Sequence, residues 1–552
     1  MEQAETKKIV ILGAGFAGIS LARELGRLIK KNPDIQVHLV NQENYFVFQP
    51  MLPEVVSCAI EPSHILNPIR HLCPTATFHQ ASIEGIDLTS QKVRLAGIDS
   101  RQPRVLPYDH LVISLGLAMN LSGAPGMTEH ALPLKTLGDA FHLRNHVISR
   151  LEEADSESEA ERRKTLLTFV TIGGGFSGVE TAAAINDMVK SALAFYPRAQ
   201  ETGARMILIH SRECILPELE AGLGEFATQK LQERGVEVRL LTTVKAITSN
   251  KVVLSTEERI SARTVICTVG NAPHPLMASL PLSQERGRIL VDATLQVTGS
   301  TNLWALGDAA LVPDISRSGY CPPTAQYAMR QGRQCARNIL AELARGTLKP
   351  FRFGGYGQMA LIGRHCGIAK VFGVRLYGVF AWALWRSVYL MKLPSFRSKA
   401  RVAIDWMFEI LFPRDITKMA VERTEQVNHA HFQQGDTIIQ QGEIGDLFYI
   451  IESGEVEIVR QSPGKPEEQL AKRSAGDSFG ELALLQDVAR TATVRCLTPV
   501  NVISFNRKDF LQLTGSSHLF KTHMKNELAI LEKQEKVLNA AHPTPSPQNP
   551  CV

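Results

Sequence analysis

The chain has 552 residues, 44% hydrophobic and 21% charged, with a formal net charge of +5. Such a length exceeds one compact core and predicts two or three domains, while so modest a charge does not point to nucleic acid. Nine dispersed cysteines without a CxxC pair argue against a zinc ribbon or a thioredoxin-like dithiol and suit a reducing compartment; no metal centre is expected. The first residues run straight into a strand, which leaves no room for a signal or transit peptide, and no apolar run reaches the ~18 residues of a spanning helix.

Two Gly-rich turns stand in matching contexts. "IVILGAGFAGISLARELGRLI" reads as strand, turn and helix, and "TLLTFVTIGGGFSGVETAAAINDMV" repeats the order. Gly13, Gly15 and Gly18 form GxGxxG, and Gly173, Gly175 and Gly178 form a second copy. The first glycine permits the tight turn, the second admits a pyrophosphate, and the third lets helix pack on strand, with the phosphate at the helix N-terminus. Between the copies, "EEADSESEAERR" predicts a solvated helix face or linker. "RMILIHS", "VEVRLL" and "ARTVICTVG" follow as strands, and the alternation with helices predicts doubly wound parallel sheets. "TNLWALGDAA" supplies a short strand ending in Gly307-Asp308, where an Asp can hydrogen-bond the ribityl chain of a flavin.

From Leu343 to Ile404 no Asp or Glu occurs, while eleven Lys and Arg do, with Trp382, Trp385 and Trp406 in or beside the stretch. Cations attract anionic headgroups and aromatic rings favour the interface, so 376–412 predicts a membrane-surface segment; the ten-residue core "LYGVFAWALW" is too short to span. The earlier "GYGQMALIGRHCGIA" reads as sheet. From about Val427 to Phe510, short β-rich runs between Gly turns predict an all-β barrel or jelly roll, and a Pro-rich tail follows.

These pieces, with "NYFVFQPMLPEV" (44–55), "PPTAQYAMRQGRQCARNI" (322–339) and "AWALWRSVYLMKLPSFRSKARVAIDW", resemble the type II NADH dehydrogenases, two-dinucleotide-domain flavoproteins, over about residues 7–415. The resemblance implies two Rossmann-like folds: an FAD domain in two parts (1–164 and 276–372) around an NAD(P)H domain (165–275), then an amphipathic membrane-associating segment (373–415). It implies that NADH or NADPH passes hydride to FAD and that a membrane quinone takes the electrons. Asp308 and the first Gly turn map onto FAD contacts; Gly173, Gly175, Gly178 and Glu180 map onto the nicotinamide turn, and Gln326 maps onto a glutamine near flavin and quinone. Gln326 either meets the quinone or packs beside the flavin.

Three positions depart from the family pattern. Asn41 stands where an acid usually holds the FAD ribose. His210, with Ser211 and Arg212, replaces the carboxylate that would hold a ribose 2′-hydroxyl, so NADPH stays open. Arg330-Gln331 replaces paired glutamines. Cys321 and Cys366 raise a sulfide:quinone oxidoreductase reading, but no Cys lies between 73 and 214 to complete a redox pair, so both are read as structural thiols.

"FGELALLQDVARTATV" (479–494) resembles the phosphate cassette of cyclic-nucleotide-binding domains, here 416–530, ahead of a tail at 531–552. Arg490 offers a planar fork to a cyclic phosphate, backbone N–H groups after Gly480 add donors, Glu481 can accept from the ribose 2′-hydroxyl, and Thr491 adds a hydroxyl. The ligand is cAMP or cGMP, and the conduit to the enzyme is expected at Asp405–Val427. Too few residues follow the barrel for a helix-turn-helix. The sum predicts a quinone reductase on the cytoplasmic face of a bacterial membrane, regulated by cyclic nucleotide. Alternatives are a cyclic-nucleotide effector with a redox-sensing half and a sulfide-oxidising relative; the oligomeric state, a homodimer included, stays open.

Overall fold

A computed structural model describes residues 6–30, 34–96, 104–316, 319–419, 428–442, 447–461, 466–481 and 490–506. The conduit beyond 419, the cassette residues 482–489, the end of the expected cyclic-nucleotide domain (507–530) and the tail at 531–552 lie outside them. The chain packs as two units: 1–121, 132–243 and 261–418 form the first, and 122–131, 244–260 and the described residues from 419 onward form the second.

In the first unit, five parallel strands run in the order Leu303–Ala305, His110–Ile113, Lys7–Leu12, Ile35–Asn41, Thr77–Gln80. A second parallel set orders Thr264–Cys267, Thr168–Ile172, Arg205–Ile209 and Val236–Arg239. Ile9, Val10, Ile11 and Leu12 are wholly buried, as expected of a strand covered on both faces by crossover helices. Such sheets put their ligand crevice outside the carboxyl ends of the strands, and both Gly-rich turns leave from those ends. The charge run closes the helix Leu137–Ser156 and opens the helix Ala160–Leu166.

The stretch read as sheet is a three-stranded antiparallel meander, Gly357–Leu361, Gly367–Val371 and Val374–Tyr377. Two helices follow, Gly378–Lys392 and Phe396–Leu411. Their inner faces bury Ala381, Trp385 and Arg386, and Val402, Trp406 and Glu409. Their outer faces expose Val379, Phe380, Met391, Phe396, Met407, Phe408 and Leu411. No described helix is long and apolar enough to cross a membrane.

This corrects the sequence argument for the segment. Trp385 and Trp406 are core residues, and Arg386 lies between the Trp382 and Trp406 rings, 4.4 and 4.8 Å from their centroids. Cations counted as headgroup ligands have partners outside the acid-free run: Lys370 and Arg375 pair with Glu220, and Arg386 pairs with Glu409 and Glu54.

The second unit contains two four-stranded antiparallel sheets, ordered Asn428–Phe432, Val500–Asn506, Leu447–Ser453, Ser478–Phe479 and Thr437–Ile439, Thr493–Cys496, Glu455–Arg460, Glu468–Ser474. Phe432, Ile451, Val456 and Val502 fill the space between them, with Tyr449 stacked on Phe479. That is the expected barrel. The unit also takes in the antiparallel hairpin Val244–Thr248/Lys251–Leu254, and the Tyr449 hydroxyl donates to Glu129 Oε1 at 2.8 Å.

Candidate active site

Each Gly-rich turn is built by exclusion. Gly13 sits at φ +96° and Gly173 at +114°, conformations that side-chain-bearing residues rarely adopt. A Cβ on Gly18 would stand 1.9 Å from Gly13 O, and one on Gly178 1.8 Å from Gly173 O, so helix and strand approach only as glycines. Gly15 has open space on its Cβ side. The helices Phe16–Leu28 and Phe176–Ala192 start at Gly15 and Gly175 with no side-chain cap and no acid in the first turn. Their unpaired N–H groups and positive dipole ends are left for an anion.

The sequence reading missed one residue behind each turn. Ser114 Oγ donates to Leu12 O and Gly13 O, and Thr268 Oγ1 donates to Ile172 O. Both follow the strand adjoining their turn, in "VISLG" and "VICTVG", so the repeat itself carried the signal.

One cavity of about 820 Å³ joins the expected residues. Gly13, Gly15, Asn41, Gly307 and Asp308 line it, together with Phe176 and Ser177 from the second turn's helix, Glu180 and Gln326. Tyr389 and Lys392 from the helix Gly378–Lys392 also reach it. Asn41 Oδ1 accepts from Ala14 N–H at 2.9 Å and its Nδ2 donates to Glu43 O, so the amide stiffens the turn. Gly307 is at φ +69°, and its N–H donates to buried Gln331 Oε1 at 2.9 Å. Gln331 thus shapes the Gly-Asp corner. Arg330 stacks on Phe353 and Tyr356 at 4.1 and 4.3 Å. Gln326 holds the meander's entry, donating to Gly357 O at 3.1 Å and accepting from Tyr356 N–H at 3.3 Å.

The acids facing the cavity are held towards their neutral forms. Burial raises Asp308 above the usual carboxylate range, against the opposing charges of Lys135 and Arg288. Glu180 is pushed up to about 8, first by burial and further by the charge of Glu54, although its Oε1 accepts from Leu361 N–H at 3.0 Å. At neutral pH Glu180 is a carboxylic acid with a proton to give.

His210 is buried, and its Nδ1 accepts from Gly174 N–H at 3.1 Å. That bond needs a bare ring nitrogen, and burial plus the nearby Arg212 charge lower its pKa, so the ring is neutral. Arg212 itself is exposed. Neither Cys321 nor Cys366 lines the cavity, both are buried, and burial pushes Cys321 up to about 11, so it is no thiolate.

In the barrel, Arg490 and Glu481 are both buried. The Arg490 guanidinium donates to Gly480 O at 2.8 Å and Leu447 O at 2.7 Å. Gly480 is at φ +93°, and a Cβ there would press on that guanidinium at 2.7 Å. Thr491 is half-buried beside Arg490.

Residues 7–332 match the family described as pyridine nucleotide-disulphide oxidoreductase, 356–415 the NDH2 C-terminal domain, and 429–517 the cyclic nucleotide-binding domain. The demethylphylloquinone reductase NdbB of Synechocystis sp. is 34% identical, over 72% of this chain and 95% of its own. The type II NADH:quinone oxidoreductase Ndh of Mycobacterium tuberculosis is 30% identical, over 74% of this chain and 89% of its own. Among solved structures, NDH2 from Plasmodium falciparum in complex with NADH aligns with a TM-score of 0.69 at 20% identity, over 75% of this chain and 100% of that one.

Proposed function

We propose, from the premise that this chain belongs to the type II NADH dehydrogenase family, that it is an FAD-dependent NAD(P)H:quinone oxidoreductase under cyclic-nucleotide control. The observation that carries this reading is the single 820 Å³ cavity in which the first Gly turn, Asp308, the start of the second turn's helix, Glu180 and Gln326 meet. The first turn fits a dinucleotide: Gly13 and Gly18 leave no room for side chains, Gly15 leaves space, and the helix start lacks a cap. FAD, when bound, supplies two-electron chemistry between nicotinamide and quinone.

The chain's own residues position and protonate. The Phe16–Leu28 helix start holds the FAD pyrophosphate and Asp308 the ribityl hydroxyls, with Asn41 keeping the turn in shape. The Phe176–Ala192 helix start holds the nicotinamide pyrophosphate. His210 stands where a carboxylate would reject a 2′-phosphate, and Arg212 is exposed two residues on; Glu218 is the acid whose charge reaches His210, and against it Arg212 lets NADPH be accepted beside NADH. Glu180 keeps a proton at the cavity wall for the quinone oxygen, and Gln326, bonded to Gly357 O and Tyr356 N–H, fixes another part of that wall.

The exposed apolar faces of Gly378–Lys392 and Phe396–Leu411, with Phe380 80% and Phe396 85% accessible, support docking on the inner face of a bacterial membrane, where the quinone resides. Arg490, Glu481, Thr491 and the Gly480 turn form the site for cAMP or cGMP. Asp405–Val427, which joins enzyme and barrel along the chain, is the route by which ligand-driven motion reaches the enzyme. The test is steady-state oxidation of NADH and NADPH with a soluble quinone, with and without each cyclic nucleotide. No quinone-dependent turnover refutes the enzyme; turnover indifferent to a bound nucleotide refutes the regulation.

A further inference from the structure

The reaction NAD(P)H + quinone + H⁺ → NAD(P)⁺ + quinol balances only with one proton from water. The hydride accounts for two electrons and one hydrogen of the quinol. Glu180 is 9% exposed and lines the large cavity, so with flavin and quinone filling that cavity the proton it gives is replaced from its other side.

Behind Glu180 lies a separate small cavity of about 30 Å³. Glu180 lines it as well as the large one, and Glu54, Trp385, Arg386, Glu409 and Arg414 line the rest. That volume holds a water, provided polar atoms face it. The residues that line it carry such atoms: Glu54 Oε2 and Arg386 Nε are buried without a hydrogen-bond partner, and the Trp385 indole lies close enough to Glu180 to favour its charged form. Arg364 at the rim is exposed, and its guanidinium donates to Glu409 O at 2.8 Å.

We propose that Glu54 is the proton feed of Glu180, relaying protons from the Arg364–Arg414 rim across a water in this small cavity. The proposal rests on the quinone-reductase reading and adds a positioning and relay residue to it. In the step, Glu180 loses its proton to the quinone oxygen. A water proton then passes to Glu180, the Glu54 carboxyl restores the water, and Glu54 recovers a proton from solvent at the rim. No electron moves in the relay.

The groups around Glu54 fit the role. Arg386 Nη2 lies 3.4 Å from Glu54 Oε1 and is bonded more closely to Glu409, which also accepts from Arg414 Nη2 at 2.7 Å. Burial raises Glu409, but Arg386 and Arg414 outweigh it and hold Glu409 ionised. Glu54 is left as the exchangeable member: burial raises it to about 7, opposed by Arg386 and Arg414 and reinforced by Glu409. The Trp406 indole lies close enough to favour its charged form. From the second turn's helix, Glu180 and Asp187 face the same space, Asp187 paired with Arg234 at 2.9 Å. Glu54 and Glu180 thus titrate near one another, as members of a relay must.

The experiment compares wild type, Glu54→Gln and Glu54→Asp, each flavin-loaded, by stopped flow in H₂O and D₂O from pH 6 to 9. Glu54→Gln should slow quinone-driven reoxidation about tenfold at pH 8 and enlarge its solvent isotope effect, while anaerobic reduction by NAD(P)H is unchanged; Glu54→Asp should recover most of the loss. Infrared titration gives a readout without turnover: removing the Glu54 charge should move the Glu180 carboxyl band to a lower midpoint. Wild-type reoxidation and isotope effect in Glu54→Gln, or loss of flavin in both variants, would overturn the relay. A wild-type protein that never reduces quinone would instead overturn the functional reading, and the infrared shift would still report the Glu54–Glu180 coupling.

Discussion

Replacing Glu180 with Gln keeps the volume of a buried side chain and removes its exchangeable proton. With the carboxyl pushed up to about 8, about nine-tenths is protonated at pH 7 and about one-tenth at pH 9. If quinone reduction draws on the acid form, kcat at saturating nucleotide should fall about tenfold across that range. General acid catalysis is worth roughly 10²–10⁴, so Glu180→Gln should lose about a hundredfold at pH 7 together with the alkaline limb. The same carboxyl leaves a mark on stability. Its folded pKa lies above the ordinary glutamate value of about 4.5, so the folded chain retains a proton that the unfolded chain releases. Stability therefore falls as pH rises between about 4.5 and about 8, by at most ~1.4 kcal/mol per pH unit from this group, and the Gln variant should lose that contribution to the slope. The assays are a kcat–pH profile and denaturation midpoints over the same range, with flavin content checked. A flavin-loaded Gln variant retaining the wild-type alkaline limb would refute the argument.

The remaining predictions address the other sites. Gly18→Ala and Asp308→Ala should purify with little flavin, the first because its Cβ would stand 1.9 Å from Gly13 O; absorbance of the released cofactor reads this, and full occupancy in both would refute the cradle. For the nicotinamide pocket, kcat/KM for NADH should exceed that for NADPH by less than about a thousandfold, a limit near the strong end of hydrogen-bond discrimination, and Arg212→Glu should widen the gap. Phe380→Ser with Phe396→Ser should weaken cosedimentation with anionic vesicles while soluble-quinone activity persists; undiminished binding would refute the membrane face. In the barrel, Arg490→Ala should weaken cyclic-nucleotide binding by about 2 kcal/mol, roughly thirtyfold by calorimetry, the low end for a charged hydrogen bond because the free guanidinium must release Gly480 O and Leu447 O. Wild-type affinity weaker than about millimolar would refute the sensor.

What the sequence disclosed was whatever one strand–turn–helix unit encodes by itself. Gly13, Gly15 and Gly18 act within six residues, so spacing alone carries their meaning, and Gly307-Asp308 is as local. The barrel was legible for the same reason, from short β runs between Gly turns. The ion cluster was not, because Glu54 and Arg386 are 332 residues apart: each stands in a stretch that marks the family, but nothing in either stretch says that the two meet. The membrane segment shows the consequence most plainly. A run of eleven cations without acids suggests attraction to headgroups, but net charge along a chain says nothing about which acids fold against it. Glu220 pairs with both Lys370 and Arg375 and offsets one of their two charges, and Glu409 holds Arg386 inside the protein. With part of that charge offset, long-range attraction weakens, and the case for the membrane passes to Phe380, Met391, Phe396 and Phe408, exposed on helices whose opposite faces are core. Apolar insertion is insensitive to salt where headgroup attraction is screened. Binding to vesicles should therefore persist at high ionic strength, and it should fail when those side chains are made polar.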